Sequence, residues 1–164
     1  IVFKKETLYQ KKWRMEIVKL LLIIIAMTGS VFANDIIVKT STCTVDETVT
    51  NLKHIIRNEG LGIFATINHS GNATMVDMKL NESKMVIFGN PRLGTALMQQ
   101  DMTIGLDLPL RILVYKDGDE KVKMAYRDGT WLQNKHVINA PKKVAKVNNV
   151  MDKFTTEAGQ CEKE

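Results

Sequence analysis

Three polar side chains of this sequence have types that can ligate a metal ion or move a proton. His69 and His136 carry imidazoles, which act as acids, bases or metal ligands near neutral pH, and Asp107 would add a carboxylate. Two histidines with one carboxylate form a recognised class of metal centre. The residues lie far apart in the sequence, so the fold would have to bring them together. Each side chain could instead make a structural hydrogen bond in a turn.

A fourth candidate is Asn90, which stands directly before Pro91. Asparagine is a strong N-cap residue, and proline is favoured at the first helical position, so this pair predicts the start of a helix. Backbone N–H groups at such a start can also hold an anion, but no glycine-rich phosphate loop surrounds the pair. Asp107, before Leu108 and Pro109, can likewise cap a turn. The ligand-binding candidates are His69, Asn90, Asp107 and His136.

Methionine sulfur offers a further chemistry, because soft thioether ligands select Cu(I). Four methionines occur in pairs spaced three and four apart, and His69 could complete such a site: Met75, Met78, Met98 and Met102. Methionine is more often a filler of hydrophobic cores, which is the favoured interpretation here. The sequence therefore assigns no metal and leaves any cofactor unidentified.

Signatures of nucleophilic and redox catalysis are missing from the sequence. It contains no G-x-S-x-G elbow, and neither cysteine stands beside a histidine or belongs to a C-x-x-C or C-x-x-C-H element. A serine or cysteine hydrolase, a thioredoxin-type site and covalent haem attachment are therefore unsupported. The balance favours a binding or interaction domain over an enzyme.

The segment Lys19–Ala33 predicts export. An apolar run, Leu20–Met27, follows basic residues, and Val31 and Ala33 stand where a signal peptidase reads small side chains. We expect cleavage after Ala33 and a periplasmic or otherwise exported protein, with Met15 as the natural initiator. The run is shorter than the ~20 residues that span a bilayer, so membrane attachment is expected only if the leader stays uncleaved.

Removal of this leader would change the charge of the chain. Six of the 23 basic residues and two of the 18 acidic residues lie in residues 1–33, so the rest carries 17 basic and 16 acidic residues. The pI of about 9.2 therefore comes largely from the leader. A nearly neutral domain lacks the basic surface that phosphate contacts require, so nucleic-acid binding is excluded.

Both cysteines, Cys43 and Cys161, lie outside the leader. An oxidising compartment favours their pairing, and in the chain-entropy model such a long closed loop stabilises the fold by up to about 4 to 5 kcal/mol. The alternative is two thiols too far apart to meet.

Local patterns predict one α+β domain over residues 34–164, in the order β-α-β-β-α-β-β-α. Thr44 and Glu47 have the spacing of a capping box, and His69 begins a turn-like cluster. An irregular stretch is expected through Trp131 and His136. We predict strands over 35–40, 61–68, 84–88, 110–116 and 121–126, and helices over 44–60, 90–102 and 141–159. Such an order is typical of one mainly antiparallel sheet with helices on one face.

Two separated motifs resemble those of a bacterial family known as domain of unknown function 302. They are IFGNPRLG at Ile87–Gly94 and LDLPLR at Leu106–Arg111. FATINH at Phe64–His69 is similar to a family segment ending in Asp-His, with Asn68 in place of the acid, and Tyr126 and His136 match its closing positions. The likeness spans residues 36–154. It implies a curved antiparallel sheet with helices on one side, a TBP-like layout and frequent dimers, but no activity.

Together these patterns predict a small exported domain that binds a small ligand or a protein. We expect it to be a homodimer, in which a second copy covers the sheet's edge or open face. The expected pocket lies near His69, the Asn90 loop and Asp107. The alternative is a metal-dependent or catalytic domain built on His69, Asp107 and His136.

Overall fold

The structure, a computed structural model, describes residues 35–161. The predicted leader, the initiator Met15 and the cleavage position after Ala33 therefore lie outside the described residues. Within residues 35–161, every helix is too short or too polar to cross a membrane.

Five antiparallel strands form one open sheet in the order β1-β5-β4-β3-β2. This arrangement confirms the predicted α+β class with an antiparallel sheet. The strand positions also agree with the sequence to within two residues at each end. The strands are β1 Ile37–Thr40, β2 Gly62–Asn68, β3 Ser83–Gly89, β4 Leu110–Lys116 and β5 Val122–Tyr126.

Helices connect these strands at three places and two more follow β5, and two of the five helices differ from the prediction. The three predicted helices are present as α1 Val45–Asn58, α3 Pro91–Met98 and α5 Pro141–Ala158. The expected turn at His69 is a short helix, α2 His69–Thr74, and the expected irregular stretch contains α4 Gly129–Lys135. A 3₁₀ helix, Met102–Leu106, follows α3, and Asp107 is its C-cap residue.

One face of the sheet is covered by α1 and α5. Because side chains alternate along a strand, every second residue of the central strands points into this layer, where Val86, Ile112 and Met124 are fully buried. Phe88 of β3 meets Phe154 of α5 with ring centroids 5.8 Å apart. The hydrophobic core therefore lies between the sheet and these two helices.

The intervening residues of the same strands point to the opposite face, which we call the open face. The strand register places five apolar side chains in one straight row across all five strands: Val38, Ala125, Leu113, Met85 and Ile67. We call this the apolar row. It is half-buried along the central strands, and Val38 at the β1 edge is 46% exposed.

The beginning and end of the described chain are joined beside α1. Thr44 and Glu47 form the predicted capping box at the start of α1. Just before it, Cys43 is bonded to Cys161 with a sulfur–sulfur distance of 2.04 Å, which confirms the predicted disulfide. The bridge ties the entry to α1 to the segment after α5.

Asparagine and aspartate caps explain the two unexpected helices. The Asn68 Oδ1 accepts the Gly71 N–H at 2.9 Å and starts α2. The Asp128 Oδ1 accepts the Trp131 N–H at 2.8 Å and starts α4. Gly129 lies where α4 crosses α5, and a Cβ there would stand 2.5 Å from the Val144 carbonyl oxygen. Helix α4 therefore depends on its packing against α5 as well as on its N-cap.

Candidate functional site

His136, directly after α4, is held at both ring nitrogens. Its Nε2 lies 2.8 Å from Oδ2 of Asp107, and its Nδ1 lies 3.2 Å from Oγ1 of Thr103. A second carboxylate, from Asp101, lies 3.6 Å from Nδ1. The imidazole is 8% exposed, so it is an almost buried ring between two carboxylates on opposite sides. We call Asp101, Thr103, Asp107 and His136 the histidine cluster.

Asp101 organises one side of the cluster. Its Oδ1 accepts the Thr103 hydroxyl at 2.6 Å and the Thr103 backbone N–H at 2.9 Å, while its Oδ2 accepts the Val137 N–H at 2.9 Å. The Thr103 hydroxyl, then the backbone N–H groups and the nearby His136, lower the pKa of Asp101 to about 2. This carboxylate joins the 3₁₀ helix to the segment that follows α4.

Asp107 links the cluster to the open face through arginine. The Nη1 of Arg127 lies 3.9 Å from Oδ1 of Asp107, and the guanidinium stacks 4.2 Å from the centre of the Trp131 ring. Arg111 lies on β4 beside this group and donates from Nη2 to the Leu106 carbonyl at 3.1 Å. The cluster therefore continues into two arginines at one end of the sheet.

These residues border a cavity of about 190 Å³ on the open face, which we call the sheet pocket. Its floor comes from the apolar row, through Met85, Leu113 and Ala125. Its remaining lining joins apolar side chains to the polar groups above: Ile36, Leu110, Tyr126, Trp131 and Leu132 with Asp107, Arg111 and Arg127. An apolar floor with a few convergent polar groups is the usual composition of a small-molecule site.

Helix α4 forms the wall of the sheet pocket because α5 holds it there. The Asn148 Oδ1 accepts the Thr130 N–H at 3.1 Å, and its Nδ2 donates to the Thr130 hydroxyl at 2.8 Å. At the end of the helix, the Nζ of Lys135 lies 3.2 Å from the carboxylate of Asp35. The hydrogen bond from Lys135, with smaller effects from Trp131 and Arg127, holds the pKa of Asp35 below its usual value.

The structure separates His69 from this site. His69 follows β2 and lies beside the start of β3, whereas Asp107 precedes β4 at the other end of the sheet. The predicted cluster of His69, Asp107 and His136 therefore does not form, although Asp107 and His136 do meet. Asn68, which replaces an acid in the motif beside His69, acts as the N-cap of α2.

Asn90 occupies a different pocket from Asp107. Its Oδ1 accepts the backbone N–H groups of Arg92 and Leu93 at 2.9 and 3.3 Å, as the capping interpretation predicts. It also borders a cavity of about 200 Å³ between α3, Phe64 and the segment before β4. The side chains that line this cavity include Asn90 and Thr95 but none that is charged, and the Asn90 carboxamide oxygen already caps α3. The expected single pocket near His69, Asn90 and Asp107 is thus divided among separate places.

A metal site does not emerge from either set of predicted ligands. Met75 and Met78 follow the end of α2, whereas Met98 and Met102 lie near the end of α3, so the four methionines form no common cluster. In residues 35–161, no group of three or more histidine, cysteine, aspartate or glutamate side chains could hold a metal ion. The two carboxylates of the histidine cluster lie on opposite sides of the ring instead of converging on one point.

Sequence reasoning missed most residues around His136. Asp101 and Thr103 have the spacing of an aspartate cap, which was the available local signal. Arg111 and Arg127 gave no such signal, because their proximity results from the pairing of β4 with β5. The sequence predicts an irregular stretch around Trp131, so it reveals neither α4 nor the place of Trp131 in the pocket wall.

Proteins similar to this chain include three from Brucella. The chain is 34% identical over 117 residues to proteins named fluoride-specific ion channel FluC 1 from Brucella suis biovar 1 and Brucella abortus biovar 1, and to FluC 2 from Brucella melitensis biotype 1. The match covers 71% of this chain but only 46% or 43% of each relative. This chain thus spans less than half the length of these relatives.

A solved structure and a family match agree on the fold. The crystal structure of an uncharacterised conserved DUF302 protein from Bacillus stearothermophilus superposes with a TM-score of 0.62 at 16% identity. The superposition covers 77% of this chain and 97% of the other. The sequence also matches the family described as domain of unknown function DUF302 over residues 37–157, which confirms the resemblance in the two motifs. The chain therefore belongs to the DUF302 family.

Proposed function

We propose that this protein is an exported binding domain that holds a small molecule in the sheet pocket and acts as a homodimer. The observation that carries the proposal is the cavity of about 190 Å³ in which an apolar floor meets Arg111, Arg127 and Asp107. Apolar lining supplies binding free energy, and a few fixed polar groups give orientation. The cavity at Asn90 also has an apolar lining, but no charged side chain borders it.

The histidine cluster supports binding by fixing the polar wall of the pocket. His136 and Asp101 join the end of α4 to the 3₁₀ helix, and Asp107 faces both His136 and Arg127. A side chain fixed by such contacts loses little rotational freedom when it meets a ligand. The cluster is therefore a positioning device in this proposal.

The dimer is argued from the open face. Helices α1 and α5 cover only one side of the sheet, and the apolar row crosses all five strands on the other side. A twofold dimer brings the same patch of each copy together, so a row of this kind can cover itself. The second copy would also contribute an outer wall to the sheet pocket, whose floor belongs to the row.

The oligomeric state tests this part of the proposal. Protein expressed from residues 1–164 and recovered after export should elute as a dimer in size-exclusion chromatography with light scattering. Val38→Asp should shift it toward the monomer, because it puts a charge on the row at a side chain that is 46% exposed. Met75→Asp is the matched control, since Met75 is 83% exposed but lies beside α2. A wild-type monomer would contradict the dimer.

A second candidate function comes from the Brucella relatives. Their names denote ion channels, and the matched 117 residues make up less than half of each. A domain of this kind could therefore contact a membrane channel as its partner protein. Cross-linking in cells that contain both this protein and a fluoride channel should then join the two. Cross-links confined to pairs of this chain would contradict that role.

A further inference from the structure

We propose that the ligand of the sheet pocket is a small apolar monocarboxylic acid, with its carboxylate on Arg111 and Arg127 and its apolar body on the floor. This inference rests on the proposed function, because it assigns a ligand class to the same pocket.

Two arginines meet at one end of the pocket because of the strand register. Ile112 of β4 and Tyr126 at the end of β5 form the terminal pair of their ladder, so Arg111 and Arg127 are the next positions on the two chains. Both side chains line the pocket. Like charges in such positions repel each other. A bound anion would relieve that repulsion. Guanidinium groups also match a carboxylate with two parallel hydrogen bonds.

Carboxylates within the described residues leave this positive charge incompletely neutralised. Asp107 is 2.8 Å from His136 but 3.9 Å from Arg127, and Asp35 is paired with Lys135 at 3.2 Å. Among residues 35–161, no carboxylate lies within 4.0 Å of the Arg111 guanidinium, whose hydrogen bond is to a carbonyl. The site therefore still has hydrogen-bond donors for an anion.

The same two carboxylates limit the charge of the ligand. Asp107 and Asp35 both lie beside Arg127, and both would repel a second negative charge. A phosphate monoester or a dicarboxylate would meet this repulsion, whereas a monocarboxylate can turn its single charge toward the arginines. The stacking of Arg127 on Trp131 holds one guanidinium in place for that contact.

The apolar floor of the sheet pocket determines the chemistry of the rest of the ligand. Met85, Leu113 and Ala125 present only apolar atoms, so a polar or sugar-like body would lose its hydration without compensation. The cavity of about 190 Å³ corresponds to roughly six water molecules at about 30 Å³ each. A single aromatic ring or a short acyl chain fills such a space.

Titration with benzoate and hexanoate tests the inference, with benzyl alcohol as the uncharged counterpart of benzoate. Binding can be followed by calorimetry and by the fluorescence of Trp131, which borders the pocket. We expect both acids to bind and to change the fluorescence, and benzyl alcohol to bind at least about tenfold more weakly. Loss of a hydrogen bond to a charged group has an effect of that size. A higher salt concentration should weaken the binding of the two acids more than the binding of benzyl alcohol.

Arginine variants separate this inference from the proposed function. Arg111→Gln and Arg127→Gln should each weaken benzoate binding about tenfold, whereas Arg57→Gln, in the last turn of α1, should leave it unchanged. Equal binding of benzoate and benzyl alcohol, or no effect of either variant, would overturn the carboxylate assignment but keep the pocket as a binding site. If none of the three probes binds to correctly folded protein, both the assignment and the ligand-binding function are contradicted.

Discussion

His136 owes its role to the contacts at its two ring nitrogens. A metal ligand has to present a free nitrogen lone pair, but Nε2 faces Asp107 at 2.8 Å and Nδ1 faces Thr103 at 3.2 Å. The ring is also 8% exposed, which restricts the access of a substrate. These contacts suit a residue that positions Asp107 and the end of α4.

Asp101 makes this cluster sensitive to acid. Its pKa is lowered from 3.8 to about 2 in the folded protein, so its ionised form stabilises the fold. That contribution is complete above pH 3.8 and is lost as the pH falls toward 2. Asp101→Asn should therefore lower the free energy of unfolding near neutral pH, and the difference from wild type should shrink between these values. Urea unfolding across the pH range measures it.

Asp119→Asn provides the control for acid sensitivity. Asp119 is exposed in the turn between β4 and β5, and its carboxylate has no partner among residues 35–161. Its substitution should leave the pH dependence unchanged. A difference between Asp101→Asn and wild type that stays constant down to pH 2 would show that the lowered pKa of Asp101 is wrong.

At the scale of elements, α4 decides whether the pocket exists. It places Trp131 and Leu132 in the wall, and its end leads into His136. The helix has only seven residues, so it depends on its cap and on the contacts with α5. Loosening α4 should therefore impair the pocket before it unfolds the sheet.

Asp128→Ala tests the dependence of the pocket on α4. Removing the N-cap should lower the free energy of unfolding by about 1 kcal/mol. It should also weaken probe binding in the sheet pocket, because the Asp128 carboxylate accepts the Trp131 backbone N–H and so holds this residue of the pocket wall in place. Asp128→Asn is the matched control, since its side-chain oxygen can accept the same N–H. Equal loss in both variants would point to the charge of Asp128 instead of its capping bond.

Most elements could be predicted from sequence because their signals are local. The Thr44 capping box, the Asn90–Pro91 helix start and the alternation in β4 each depend on a few neighbouring residues. Helix α4 differs, because Gly129 is needed for its approach to α5 and Asn148 holds its first turn. No short window of sequence contains those contacts.

The candidate site was predictable only in part, for the same reason. Asp107 and His136 were named from their chemistry, but their partners come from three further segments of the chain. The two arginines meet through the register of β4 and β5, which depends on the complete sheet. His69 illustrates the opposite error, since a suitable residue type in a resembling motif lies at the other end of the sheet.

At the scale of the whole molecule, the disulfide joins two distant parts of the chain. Cys43 and Cys161 are 118 residues apart, so the bond closes a loop that includes nearly the whole domain. Closing such a loop restricts the unfolded chain more than the folded one. The bridge should therefore affect stability far more than the shape of the sheet pocket.

Replacing both cysteines tests the contribution of the bridge. The Cys43→Ser, Cys161→Ser double variant should lose up to about 4 to 5 kcal/mol of unfolding free energy in the chain-entropy model. Wild type measured in a reducing agent should lose a similar amount, while the double variant should not respond to it. Unchanged stability in both would mean that the thiols do not pair in the isolated protein.

Native mass spectrometry of the protein recovered after export tests the central claim most directly, because one spectrum reports chain mass, subunit number and any retained ligand. We predict two chains that each begin at Asn34, carrying a small organic acid that is released on unfolding. Arg127→Gln should lose that added mass and remain dimeric. A single chain without any bound small molecule, in protein that is folded and disulfide-bonded, would contradict the proposal of a dimeric binding domain.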